Sequence, residues 1–557
     1  MMRHADGSEE AVLRRPSARH AAPLTIATLL AVLAVLTLAS PPAGALGQSP
    51  APDLAAAAGL VAADPAALPS PTGATVGASR AASARARADV LRKRARTARQ
   101  ARLFTRATAL YDRARGLYTT AGAPRPAGAC LTAMQDIYLI TGTYPATRAE
   151  MLTQLKATYP DSTAAQRRAW LDLPSTERMR WDGVVHYFSD VPTNLAYRDV
   201  ELFQTVPAMV AAYKTIYGEL VPYLAVAAET PAWQQYGKPK AYDFVQTLSV
   251  PRDELPAGGI LRAWFPIPIN TGPQTDVVIG DITPDTYLRY PPSIDQAIGL
   301  LYMRVPVERL SGDLDVSFRV GFKHAAQYFK VDPGRVGRYD KSSAVYRRYT
   351  RSRANTRITP SIRRTARRVV AGETNPYLAA QRLYRFILRR VKYSHMPHLA
   401  MWPRGVPESV YVHERRYGDC GAQSMYFSAL CRAVGIPARA AGGFQIFSGT
   451  PAGHFWAEFY LPNYGWVPVD PTAATIVDYL TDVSAADKQA FHDFYFSNQD
   501  DLRLVVQKDT DLPLLPRAQG RVVLPMAIQM PAALCPTMEA IPGFVLTEYW
   551  TFGRPLK

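Results

Sequence analysis

From Tyr242 to His324 the chain breaks into five short β-rich runs, "YDFVQTLSV", "GGILRAWFPIPI", "QTDVVIGDI", "IGLLYMRVPV" and "LDVSFRVGFKH", each fenced by Pro, Gly or Asp. That spacing predicts a β-sandwich module over 236–335. Before it the pattern is helical: residues 80–118 are rich in Ala, Leu and Arg, and 126–235 are punctuated at "TYPATRAE", "YPDSTAAQ" and "DVPTN". After it, "NPYLAAQRLYRFILRRVKYS" sets Leu378, Leu383, Phe386 and Ile387 on one helical stripe, and strands follow at "GHFWAEFYL" and "GWVPVD". Helices and strands are grouped rather than alternating, so the fold class is α+β. At 557 residues the chain exceeds what one core organises, and several domains are expected.

The N-terminus carries Arg14, Arg15 and Arg19, an apolar run over 24–40, and Ala43-Gly44-Ala45. This is the layout of a signal peptide over 1–45 with an A-x-A cleavage site, which places the mature chain outside the cytoplasm, secreted or in the periplasm and cell envelope. The alternative is an uncleaved membrane anchor, for which 17 apolar residues is the short limit. Residues 46–79, Ala/Pro-rich with few large apolar side chains, read as a disordered linker.

The net charge of +18 is concentrated. Residues 80–118 hold twelve Lys/Arg against Asp89 and Asp112, and the stretch from Tyr346 to Arg368 holds nine Arg and no acid. Such runs are solvated helix faces first and a means of holding acidic envelope polymers second. No aromatic interleaving or fold signature accompanies them, so a nucleic-acid partner is not expected. There is no C-x-x-C and no H-E-x-x-H, hence no metal or cofactor is expected. The four cysteines leave a Cys130–Cys535 disulfide open.

One cysteine stands apart. In "YGDCGAQSMYFSALCRAVGIPARAAGGF", Phe427, Leu430, Cys431 and Val434 trace an inward helical face, and Cys420 lies two turns earlier at the helix start. Asp419 is an N-cap, while Gly435 and Pro437 end the helix. A helix N-terminus favours a thiolate, but Asp419 opposes it, so a positive partner is needed. Downstream, His454 opens an alternating strand with Trp456 and Glu458 on its face; "LPNYG" turns, and an antiparallel return sets Asp470 about opposite His454. Cys420, His454 and Asp470 then fill the roles of nucleophile, base and orienting carboxylate. Cys431 reads as inert packing. His395, His398 and His413 read as loop or surface residues.

The Gly-x-Cys nucleophile, the helix ending "RAVGIPAR", the His-x-Trp strand and "GWVPVDPT" together resemble the transglutaminase-like superfamily of papain-like thiol enzymes. The resemblance implies a papain-like catalytic core over 336–480, preceded by the 80–235 basic helical region and the sandwich module, with a β-rich extension over 481–557. It implies a thioester formed from a protein or peptide carboxamide or peptide carbonyl, resolved by an amine or by water. Trp402 is similar in placement to an indole oxyanion donor, and Gln423 and Trp456 are substrate-contact candidates. The rival readings are a non-catalytic envelope binding or structural protein that keeps this fold, and an envelope anchor for which the enzyme is a passenger.

Overall fold

The computed structural model describes residues 71–447, 452–519, 531–534 and 550–555. The expected leader, residues 46–70 of the expected linker, and Cys535 lie outside the described residues. The remainder of that linker is helical, within the helix Pro71–Gln100. Cys130 is a free thiol buried in the helix Pro124–Thr143.

Three helices, Pro71–Gln100, Phe104–Thr120 and Pro124–Thr143, pack in sequence through small residues such as Ala88, Ala95, Ala107 and Ala114. Their close approach leaves the arginines of 80–118 mostly outward, a solvated face in the sense the composition implied. A small antiparallel sheet interrupts the helices, built from Ala146–Thr147, Val184–Tyr187 and Arg178–Trp181. Helices Val191–Arg198, Val200–Gln204, Pro207–Leu220 and Pro222–Glu229 follow. Among the described residues no helix is long and apolar enough to cross a membrane, and the apolar run 24–40 lies outside them.

All five β-rich runs form strands. Lys240–Val250 and Leu314–His324 pair along their full length, Lys240 opposite His324 and Val250 opposite Leu314. Gln274–Thr283 and Trp550–Pro555 flank them. The second sheet contains Ala532–Leu534, Ile260–Pro266 and Leu300–Pro306. Both sheets are therefore completed by strands from the far end of the chain. Inward residues alternate as two-residue periodicity requires, Tyr242, Phe244, Leu248 and Val250 from one strand meeting Phe265 and Met303 from the other sheet.

The third body carries the sequence motifs. Its sheet runs Gly465–Val469, Ala452–Leu461, Ala438–Gln445, Arg503–Gln507, antiparallel throughout. The helix Cys420–Ala433 lies across it. Periodicity predicted a single buried face for that helix, yet every residue from Gly421 to Ala433 is buried. The helices Pro360–Val370, Pro376–Arg390 and Glu408–Arg415 cover the sides the sheet does not. Its end is as expected: Gly435 takes φ +87, and the N–H groups of Ile436 and Gly435 return to the carbonyls of Cys431 and Arg432. In Pro360–Val370, Ile362, Ala366 and Val370 face inward while Arg363, Arg364, Arg367 and Arg368 are exposed, which locates part of the second basic run on a solvated face.

Candidate active site

Tyr417–Gly418 pairs in parallel with Lys392–Tyr393, and the chain then turns into the Cys420 helix. A Cβ on Gly418 would stand 2.7 Å from Val412 Cγ2, so only glycine passes here. Asp419 caps the helix by accepting the Ala422 N–H at 3.0 Å. Gln423 is fully buried, and its Nε2 donates to the Gly418 carbonyl at 2.8 Å. It is neither a solvated helix residue nor turned toward a ligand; it pins the turn from inside.

Cys420 keeps partial exposure and packs against Met425, Ala440 and Phe455. Burial, then the Asp419 charge, push its thiol up from the ordinary value. The Phe455 N–H opposes them, Asp470 adds to them, and the Gly421 N–H opposes again. The Phe455 ring fixes the spacing between helix and sheet. A Cβ on Gly421 would come within 3.2 Å of that ring, and one on Gly442 within 2.7 Å.

His454, the neighbour of Phe455, lies opposite Gly443 in the strand pairing. Its Nε2 and Asp470 Oδ2 are 2.7 Å apart. The ladder expected to bring these two together stops short: Leu461 pairs with Gly465 and Ala457 with Val469. Asp470 lies one residue beyond, as the N-cap of Pro471–Ala474, where Oδ1 accepts the N–H groups of Ala473 at 2.9 Å and Thr472 at 3.2 Å. A cap, rather than a cross-strand neighbour, aims the carboxylate.

Arg503, which sequence reasoning missed, completes the cluster. Its Nη1 donates to Asp470 Oδ2 at 2.7 Å, and its Nη2 to Asp500 Oδ2 at 2.7 Å. The guanidinium lies 5.1 Å from the Phe447 ring centre and 5.5 Å from that of Trp456. Asp470, Asp500 and Arg503 have no solvent exposure. Burial alone would raise the Asp470 carboxyl; His454, Arg503 and the Ala473 N–H instead hold it well below the ordinary range.

Trp456 packs against Ile269, Ala441 and Val505 and is 1 % exposed, so it is a core residue and not a platform for substrate. Trp402 stands in a short 3-10 turn, 39 % exposed. Of the three histidines expected in loops or at the surface, His395 and His413 are buried and His398 is partly so. His395 Nδ1 meets Asp190 at 3.0 Å, and His413 bridges Ser361 and Tyr426. His398 lies between Glu408, 2.9 Å from its Nδ1, and Asp419, hydrogen-bonded to its Nε2.

Beside His454 lies a cavity of about 70 Å³. Tyr393, Thr472 and Tyr479 form its wall on the core side, and Tyr197, Tyr213 and Ile216, from the helical region, form the other. The Tyr479 hydroxyl donates to the Tyr197 carbonyl at 2.7 Å and ties the two walls.

Residues 363–471 match the transglutaminase-like superfamily core, so this part of the chain is a transglutaminase-like domain. A protein-glutamine gamma-glutamyltransferase of Pseudomonas aeruginosa is 35% identical over 72 residues, which span 11% of this chain and 11% of that protein. Among solved structures, a protein from Cytophaga hutchinsonii described as a candidate cysteine protease is 14% identical, with a TM-score of 0.33 over 42% of this chain and 78% of its own. The periplasmic domain of TgpA from Pseudomonas aeruginosa is 16% identical, with a TM-score of 0.22 over 48% of this chain and 95% of its own.

Proposed function

We propose that this chain is an exported cysteine acyltransferase or peptidase that forms a thioester on Cys420 from a protein or peptide carboxamide or peptide carbonyl. The observation that carries the proposal is the buried His454–Asp470 pair, one residue from the Phe455 N–H that faces the Cys420 sulfur. Export rests on the N-terminal leader pattern.

His454 is the base. Asp470 engages Nε2 and so presents Nδ1 as the proton-accepting nitrogen. The Cys420 proton moves to Nδ1, and the sulfur adds to the carbonyl carbon. The backbone N–H of Cys420, at the helix start, is the first donor to the resulting oxyanion. Collapse breaks the C–N bond, and the nitrogen leaves as ammonia or an amine with the proton from His454. An amine or water then attacks the thioester, gives its proton to His454 and releases the thiolate, which recovers that proton. Formal charges support the imidazolium stage: Asp470 and Asp500 against Arg503 leave one negative charge, which the arriving proton balances. Glutamine γ-glutamyl transfer, the activity for which the Pseudomonas relative is named, is the amine branch of this scheme.

The test supplies glutamine-containing peptides with a fluorescent primary amine, and follows amine incorporation, ammonia release and peptide cleavage together. Cys420→Ala and His454→Ala are each expected to lower turnover by roughly 10³-fold or more, Cys420→Ala with melting unchanged. A folded wild-type protein that is inert in all three readouts, with Cys420 alkylated no faster than Cys431, would favour the non-catalytic envelope reading.

A further inference from the structure

The thiol has a charge problem that His454 does not solve. Asp419 caps the helix one residue from Cys420, and its charge disfavours the thiolate. The carboxylate is partly buried, its side chain 16 % exposed, so water screens it only in part. It is met by His398, whose other ring nitrogen is held by Glu408 at 2.9 Å. Both ring nitrogens face carboxylate oxygens, an arrangement in which each must donate, so the imidazole is doubly protonated. Burial opposes that charge, but Glu408 and Asp419 together raise His398 well above its ordinary value. Asp419 is correspondingly held low: burial would raise it, and His398 and the Ala422 N–H outweigh this.

We infer that His398 is a positioning residue for Cys420: a fixed imidazolium, clamped between Glu408 and Asp419, that offsets the N-cap carboxylate and so lets the helix N-terminus activate the thiol. It touches neither the sulfur nor a substrate and transfers no proton. Its hydrogen-bonded route to the start of the Cys420 helix runs through Asp419. The charged groups facing it are Glu408, from the helix Glu408–Arg415, and Asp419. The next titratable group, His395, acts on Asp419 and is itself paired with Asp190. Around the thiol the remaining titratable neighbours, besides His454 as the proposed base, are Asp470 and Tyr393.

The experiment needs no substrate. The rate of Cys420 alkylation by iodoacetamide, located by mass spectrometry, is followed against pH in the wild type, His398→Gln, Asp419→Asn and the double variant. Asparagine keeps the helix cap while removing the charge. His398→Gln is expected to move the midpoint up by about one pH unit, that is, about tenfold less thiolate at neutral pH. In the Asp419→Asn background the same substitution is expected to move it by less than a third as much, and Asp419→Asn alone is expected to lower it. A His398→Gln midpoint equal to that of the wild type overturns the inference. So does a shift of undiminished size in the Asp419→Asn background, since His398 would then act by another route. If His398→Gln does not fold, Asp419→Asn alone decides: a midpoint that does not fall overturns the inference.

Discussion

Two Asp–His pairs flank Cys420, and they are built alike up to a point. In each, an aspartate caps a helix with one oxygen and holds a histidine with the other, Asp419 the half-buried His398 and Asp470 the buried His454. They differ at the second ring nitrogen. Glu408 occupies it in His398, whereas among the described residues no hydrogen bond engages Nδ1 of His454. The backing of the carboxylates differs too, since Asp470 has Arg503 behind it and Asp419 relies on its histidine. A histidine fixed at both nitrogens is a standing charge; one fixed at a single nitrogen can accept and return a proton. Of the two, the histidine nearer to the thiol in the chain is His398, which has no ring nitrogen open to accept a proton.

The contrast can be broken most severely at Asp470. Asp470→Asn is expected to cost roughly 10³-fold in turnover, because the amide no longer selects the tautomer with Nδ1 open. Steady-state kinetics on the peptide–amine pair would measure it; activity within tenfold of wild type would remove the distinction between the two pairs. Next is Arg503→Met, which leaves Asp470 and Asp500 buried without their shared cation. Denaturant melts at pH 7 are expected to show about 3 kcal/mol of lost stability, with the Asp470 carboxylate easier to protonate.

The smallest effect sharpens the other side. Glu408→Gln removes one of the two carboxylates that raise His398, and about 1–2 kcal/mol of stability should go with it at pH 6. The sign follows from the raised histidine: its contribution is complete below the unfolded value of about 6.5 and disappears as pH rises through its higher native value. The difference between wild type and variant should therefore shrink on the alkaline side. A difference that stays constant to high pH would mean that His398 carries no charge to lose.

The Cys420 helix was legible because its punctuation is local: a carboxylate cap, a glycine stop and a proline within a few residues. The five sandwich strands were legible for the same reason. Asp470 was assigned the right partner through the wrong contact, since hairpin symmetry points to a cross-strand neighbour and the chain leaves the ladder before Asp470. Arg503 and His398 gave no signal. Arg503 meets Asp470 from 33 residues away, and the buried arginine reads in sequence as one more element of a basic surface. His398 is polar in a short irregular stretch, and only the fold supplies the two carboxylates that keep it inside. The buried sides of the Cys420 helix were hidden likewise, because Ser424, Ser428 and Gln423 look solvated when read as a pattern.

The cavity beside His454 is shared between helices that precede the sandwich and a core that follows it. Its two walls come from separate stretches of chain, joined by the Tyr479–Tyr197 hydrogen bond. Substitutions in Val191–Arg198 and Pro207–Leu220 can re-cut the space next to the imidazole while Cys420, His454 and Asp470 stay in place, so under the proposed function selectivity would be encoded in one stretch of the gene and chemistry in another.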